Sequence, residues 1–496
     1  MSAPSITSAP PSAPSQSHPR GLYVLFFVEM WERFSYYGMR ALLVLFMVQT
    51  VQQGGMGLTD RTATAIYGLY TATAYLAALP GGWIADRFLG AQSAVWYGGI
   101  IIACGHFTLA VPRPEFFYLG LLLVIIGTGL LKPNVSAIVG DLYPEGGVRR
   151  DAGFTVFYMG INLGATLGPL ICSWLGEKVN WHYGFAAAGV GMVLGLVQYR
   201  LLARNLGEAG RLPGHREGVR ARDRWLLAGL VGAIVFLLIL VFSGAVHVDA
   251  TAVAKMATQV IVAVTVLYFL CVFLFFNLAP LEKKRVTVIV VLFLASAMFW
   301  SGFEQAGSSL NLFADRYTQR LLFGWTLPAG WFQSVEASFV IVLAPLIAAA
   351  WLALSRRGVN PSVPVKFAWG LVLLGFGFLV MAGASRIVAA GHKVWPTWLV
   401  TTYLLHALGE LCLSPVGLSS VTKLAPRRLV GQMMGTWFLA TSLGNLIAGQ
   451  IAGTFSPDNL SAMPAQYLQI VLTTAGTGIF LWLFAGPIKR LMVGVE

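Results

Sequence analysis

Apolar positions along the chain gather in long blocks, not in short alternating periods, and the blocks are separated by brief clusters of Gly, Pro and charge. A helix of about 20 apolar residues crosses a bilayer core, so each block reads as a membrane-spanning helix. The approximate spans are 22–52, 62–85, 91–111, 115–140, 152–177 and 182–203, then 224–245 and 254–279, then 286–313, 327–354, 366–388, 397–424, 429–453 and 466–488. The pattern is six, two and six, fourteen in all. Its domain reading is a disordered Ser/Pro/Ala tail over 1–20, an N-terminal six-helix bundle over 21–204 and a cytoplasmic basic loop over 205–223. Two extra transmembrane helices over 224–280 and a C-terminal six-helix bundle over 281–490 complete it.

Composition agrees with that reading. The 496 residues are 57% hydrophobic and 11% charged, with a mean hydropathy of +0.73. A soluble domain carries about 25% charge, so this chain cannot build a water-solvated surface. It is expected to be an all-α integral membrane protein. A net charge of +13 would suggest nucleic acid in a soluble protein, but here the basic residues sit between apolar runs, and no nucleic-acid partner is expected. Arg149, Arg150, the Arg204 to Arg224 cluster, Lys283, Lys284, Arg285, Arg356, Arg357, Arg427, Arg428, Lys489 and Arg490 all fall in alternate loops or at the C-terminus. The positive-inside bias then places both termini in the cytoplasm. Cys104, Cys172, Cys271 and Cys412 lie inside apolar runs without CxxC spacing, which points to neither disulfides nor a metal site. No cofactor is expected.

An internal repeat supports two related halves. Pro133 is followed by Pro144 in LYP and by Arg149, Arg150 and Gly153; Pro415 is followed at the same interval by Pro426 in LAP and by Arg427, Arg428 and Gly431. Each segment begins in the fourth helix of its six, with the orientation expected of parallel half-repeats. Chance alignment of Gly/Pro-rich helices is the competing explanation.

Eight ionisable residues lie inside apolar spans: Glu29, Glu32, Arg33, Arg40, Lys132, Glu304, Glu336 and Glu410. Each costs about 2.5–3.5 kcal/mol at a helix centre, so facing lipid is excluded. They must face a polar cavity or one another. In the first span Glu29, Glu32, Arg33, Tyr36, Tyr37 and Arg40 recur at helical spacing on one face. A guanidinium keeps its charge at any physiological pH, whereas a carboxylate can gain and lose a proton. One face therefore combines fixed cations with switchable acids. A static salt-bridge stripe is the plainer alternative; the recurrence of carboxylates in both halves favours a cavity with one cationic and one anionic pole. His106 and His406 are lone intramembrane imidazoles that read as packing residues.

The stretch EMWERFSYYG, Glu29 to Gly38, resembles the E-x-x-E-R-F-x-Y-Y-G signature of the proton-coupled oligopeptide transporter family, a branch of the major facilitator superfamily. Similar blocks recur at 81–90, 127–136, 151–165, 299–308, 409–419 and 427–449, so the resemblance covers about residues 21–490. It implies two six-helix bundles plus the two central helices usual in bacterial members, in the bacterial inner membrane. It also implies a proton-coupled symporter of di- and tripeptides, functional as a monomer in the lipid bilayer, and not an enzyme. By resemblance, Arg33, Arg40 and Lys132 surround the peptide carboxylate with Tyr37 and Tyr75 beside them. Glu410 and Asn162 meet the amino group, Ser414 and Trp437 line the second half, and Glu29, Glu32, Arg33 and Glu304 couple protons. The implied gate pairs are Arg40 with Glu304 on the outside and Lys132 with Glu410 on the inside. The ADRFLG turn resembles a loop whose charges bridge domains. One departure stands out: Glu336 and Ala337 occupy WFQSVEASF where Asn and Pro are usual, so Glu336 adds a carboxylate to the expected amino-group pocket, unless it is a structural Glu turned to the cavity wall. Among rivals, some relatives on this scaffold carry nitrate, but extra carboxylates repel an anion. No HExxH or GxSxG motif supports hydrolysis.

Overall fold

A computed structural model describes residues 17–144, 147–211, 221–245, 249–322 and 324–493. Most of the 1–20 tail and much of the basic loop lie outside the described residues. In chain order the helices are α1 (Arg20–Val48), α2 (Asp60–Leu76), α3 (Ala78–Ile84), α4 (Ala91–Leu109), α5 (Pro114–Asp141), α6 (Gly147–Lys178) and α7 (Trp181–Leu202). There follow α8 (Ala221–Phe242), α9 (Ala250–Phe275), α10 (Pro280–Phe303), α11 (Ser309–Tyr317), α12 (Phe332–Arg356), α13 (Val363–Ala389), α14 (Thr397–Leu424), α15 (Val430–Ala452), α16 (Met463–Leu483) and α17 (Ala485–Met492). With α2–α3 and α10–α11 each taken as one interrupted segment, the described residues make fourteen long segments and the short α17. By length and composition nine described helices could each cross a bilayer; α1 falls short because its Glu and Arg residues count against it.

The first six segments pack into one bundle through α1 on α6 and α7 and α4 on α5; the last six form a second through α13 on α14 and α16 and α10 on α15. This is the major facilitator superfamily fold. Both described chain ends lie at one end of the molecule, here called the terminal end, because an even number of segments separates them; the other is the distal end.

Small residues set one of the closest helix pairs. Gly160, Gly164 and Gly168 form one face of α6, and a Cβ at Gly164 would lie 2.2 Å from the Met30 carbonyl oxygen of α1. In lipid, where no hydrophobic effect draws helices together, such close backbone contact is a main source of packing energy. It fixes α1, and with it the charged stripe, against the helix that carries Asn162.

Of the central pair, α9 packs on α2 and α15, while α8 exposes nearly all its side chains, as a lipid-facing helix would. Arg87, from the ADRFLG turn, pairs at 3.0 Å with Asp223 at the start of α8, so that turn ties the N-terminal bundle to the central pair.

Boundaries differ from the hydropathy reading at several points, among them the 62–85 span, which is interrupted at Ala77 between α2 and α3. The span expected over 286–313 is broken: α10 ends at Phe303, a 3-10 turn runs Glu304–Gly307, and α11 restarts at Ser309. The last span ends at Leu483, where the chain bends by 63° into α17, which carries Lys489 and Arg490. A two-stranded hairpin, β1 (Leu321–Leu322) with β2 (Trp325–Thr326), joins α11 to α12.

Candidate functional site

The stripe on α1 forms as spaced, and its acids and bases turn onto one another. Arg33 donates to both oxygens of Glu32, Nε to Oε2 at 2.5 Å and Nη2 to Oε1 at 2.6 Å; Glu29 Oε1 stands 3.4 Å from Nε. The guanidinium lies 4.9 Å from the Tyr36 ring centre and 5.8 Å from that of Tyr37. All three charged residues are buried. A charge-assisted fork of this kind is among the strongest side-chain interactions, and Arg33 spends it within its own helix.

Arg40, two turns further on, reaches across the interface between bundles. Its Nη2 lies 3.0 Å from Glu304 Oε2, and its Nε donates to the Tyr67 hydroxyl of α2 at 2.6 Å. The Tyr37 ring lies 5.4 Å from the Arg40 guanidinium as well, so one phenol spans both arginines. The break after α10 puts Glu304 in this position, because the 3-10 turn swings its carboxylate toward α1. Gly307 closes that turn, and any Cβ there would lie 2.1 Å from the Tyr67 hydroxyl and 2.8 Å from Arg40 Nε. Gly307→Ala should therefore force Tyr67 and Arg40 apart, lowering the melting temperature by several degrees while the purified protein keeps its helical content by circular dichroism. An unchanged melting temperature would show that the turn yields freely.

On the opposite wall Tyr158 of α6 donates to Glu410 Oε1 of α14 at 3.5 Å, and Asn162, one turn along, donates to the Tyr158 carbonyl at 3.0 Å. Lys132 Nζ sits 4.2 Å from the Tyr75 ring centre, with Arg33, Glu32, Glu29 and Glu304 as its charged neighbours. The Arg40–Glu304 pair and the Tyr158–Glu410 bond each join the two bundles. Ser414 is half-buried, with its hydroxyl unpartnered. Glu336 is buried, with its Oε1 unpartnered.

Not every expected residue gathers there. Trp437 packs on the Phe367 ring, 6.3 Å between centres, and against Gly417, two turns from Glu410 toward the terminal end. Glu29, Glu32, Arg33 and Arg40 are covered, not open to a water-filled cavity; Tyr37, Tyr75, Lys132, Glu410 and Ser414 are partly exposed. His406 packs among Phe303, Phe378 and Tyr403, and His106 is fully buried. Tyr67 and Tyr158 were not singled out from the sequence, although Tyr67, Tyr70 and Tyr75 recur along α2 and Tyr158 lies in a block already noticed.

The bundles meet at the distal end. Arg316 of α11 grips Asp60 of α2 with two bonds of 2.5 and 2.8 Å. Glu177 of α6 accepts from the Ala329 and Gly330 amides at 2.7 and 2.9 Å, and lies 3.4 Å from Arg320. Trp331 Nε1 donates to the Leu170 carbonyl at 2.8 Å, and Asn311 donates to that of Ala41 at 2.8 Å. Among the described residues no ion pair joins Lys132, which sits over Tyr75, to Glu410, which accepts from Tyr158. The distal contacts hold the two bundles together at that end.

Comparison with known proteins agrees with the geometry. The model of the POT family matches residues 92–468. The chain is 42% identical to the peptide transporter YePEPT of Yersinia enterocolitica, over 98% of each chain. It is 36% identical to a di-/tripeptide transporter of Lactococcus lactis, over 96% of this chain and 97% of that one. A crystal structure of a peptide transporter POT in complex with sulfate superposes with a TM-score of 0.89 at 41% identity, covering 98% of both chains.

Proposed function

The chain belongs to the POT family, and from that premise we propose that it carries di- and tripeptides into the cell together with protons, working as a monomer in the bacterial inner membrane with both termini cytoplasmic. In this orientation the distal end faces outward, and its contacts hold the two bundles together on the outer side.

The observation that carries the reading is the two-ended charge layout. Arg33, Arg40 and Lys132 stand on the wall of the first bundle, and Glu410, held by Tyr158, faces them from the second. A di- or tripeptide has a carboxylate at one end and an ammonium at the other. Such a site grips termini and tolerates different side chains between them.

Proton coupling follows from who holds the arginines. Glu304 neutralises Arg40 here, and Glu32 with Glu29 neutralises Arg33. A proton on Glu304 removes its charge and frees the Arg40 guanidinium for the peptide carboxylate. A proton entering the Glu29/Glu32 pair loosens Arg33 in the same way. Release of those protons to the cytoplasm restores the pairs and weakens the hold on the peptide. The Asp60–Arg316 and Glu177 contacts must part each time the outer side opens.

The test is uptake of labelled dialanine and trialanine by proteoliposomes under an imposed inward proton gradient. Accumulation above the external concentration, abolished by a protonophore, is expected. Uptake that ignores the gradient would refute the coupling, and absence of any peptide uptake would refute the function.

A further inference from the structure

Gln305, the residue after Glu304, is fully buried in the break between α10 and α11, and neither the gates nor the coupling steps employ it. Its side-chain amide donates to the Ser301 carbonyl in the last turn of α10 at 3.3 Å and to the Ala448 carbonyl of α15 at 3.2 Å. Its amide oxygen accepts from the hydroxyl of Ser309, the first residue of α11, at 2.6 Å. One side chain thus ties together the end of one helix, the start of the next and a third helix alongside. A broken helix leaves backbone groups without their intrahelical partners, and in a buried position each orphan is costly. The bonds to Ser301 and Ser309 splint the break and need no other explanation. The bond to Ala448 reaches beyond it.

Ala448 lies on the stretch of α15 that seats the second bundle on the first. Beside it, Gly449 packs on α2 so closely that a Cβ there would stand 2.6 Å from the Thr64 carbonyl oxygen and 3.0 Å from the Gly68 Cα. Two turns earlier Ser442 donates to the Ala72 carbonyl of α2 at 3.1 Å. The same helix α2 carries Tyr67, which accepts from Arg40. The contacts therefore close a ring. Arg40 holds Tyr67 on α2, α2 meets α15 at Gly68 and Gly449, α15 holds Gln305 through Ala448, and the backbone joins Gln305 to Glu304, which returns to Arg40. A closed ring of this kind does not change at one joint alone. When the bundles rock at the α2–α15 seat, α15 carries the Glu304 turn with it.

Resting on the proton-coupled reading, we propose that Gln305 is a positioning residue that links the Arg40–Glu304 pair to the seat between the bundles, so that release of Arg40 and rocking of the bundles occur as one event. It acts through Glu304 and handles neither peptide nor proton. Without it the turn can swing Glu304 on and off Arg40 while α15 stays in place, and protonation no longer commits the transporter to turn over.

The experiment compares two assays of Ala-Ala transport in the same proteoliposomes. Steady-state accumulation under an inward proton gradient requires the link; counterflow exchange at equal pH requires substrate binding and rocking alone. Gln305→Met keeps the bulk and removes all three bonds. Ser309→Ala removes one of them and leaves Gln305 in place, so the proposal does not hang on the folding of a single variant. Gln305→Met should lower the accumulation ratio about tenfold, the weight of one or two buried hydrogen bonds, while counterflow stays within about threefold of wild type. Ser309→Ala should move the same ratio in the same direction by less. A splint with no part in coupling would lower both assays together along with the melting temperature. That outcome, or unchanged accumulation in every variant that folds, overturns this inference alone. Wild-type protein that exchanges Ala-Ala but never accumulates it would overturn the coupling reading beneath, and wild-type protein that does neither would overturn the transport reading.

Discussion

Glu32→Gln should abolish gradient-driven accumulation, leaving peptide to equilibrate and no more. One proton entering through 100 mV contributes about 2.3 kcal/mol, and one pH unit adds about 1.4 kcal/mol, so a zwitterionic peptide moving with one proton can reach a ratio of roughly 500-fold. That ceiling exists only if a group releases and rebinds a proton as the transporter turns over. Glu32 holds Arg33 with both oxygens, and Glu29 reaches the same nitrogen more loosely. Glutamine cannot take up the proton, and its amide turns one donor toward a guanidinium that is itself all donors. Arg33 would then keep Glu29 alone, in a pair with no second acid to share the proton. The check is the steady-state ratio of internal to external peptide under a pH gradient, with counterflow measured in parallel to show that the variant still binds and exchanges substrate. A variant that accumulates tens-fold removes Glu32 from the coupling chain.

How far this site was legible depends on whether a contact lies within one element. Glu29 and Arg33 stand one turn apart on one helix, so spacing alone places those side chains together, whereas the Glu32–Arg33 fork joins adjacent residues and spacing does not give it; α1 itself forms as read. Glu304 and Arg40 come from different bundles, and only the family signature joined them. Tyr67 was missed for the same reason: helical period says which residues share a face, not which neighbouring helix that face meets. The break at Glu304 was invisible to hydropathy, because Gly302, Gly307 and Ser308 interrupt an apolar run without changing its mean polarity. Asp60, Glu177, Arg316 and Arg320 sit near span ends, where charges are ordinarily solvated; only the closed distal interface turns them into partners. Lys132 over Tyr75 and Glu410 on Tyr158, each away from the other, show a limit of another kind. An alternating transporter needs contacts that exclude one another, and one conformation displays one set.

Arg40→Leu should destabilise the protein and stop transport, and the two effects should separate in a double variant. Arg40 is buried with Glu304 and Tyr67 as its partners. Removing one member of a buried ion pair leaves the other charge uncompensated, which costs about 3–5 kcal/mol. The single variant should therefore melt well below wild type at neutral pH. Combining Arg40→Leu with Glu304→Gln replaces both charges by neutral groups, so no buried charge is left uncompensated. The double variant should regain most of the melting temperature yet remain inactive, since neither the guanidinium for the peptide carboxylate nor the acid that releases it is present. Thermal unfolding in detergent followed by uptake in proteoliposomes reads both quantities from the same preparation. Recovered transport in the double variant would make the pair a strut between the bundles and nothing more, and the mechanism would have to run through Arg33 and Lys132 alone.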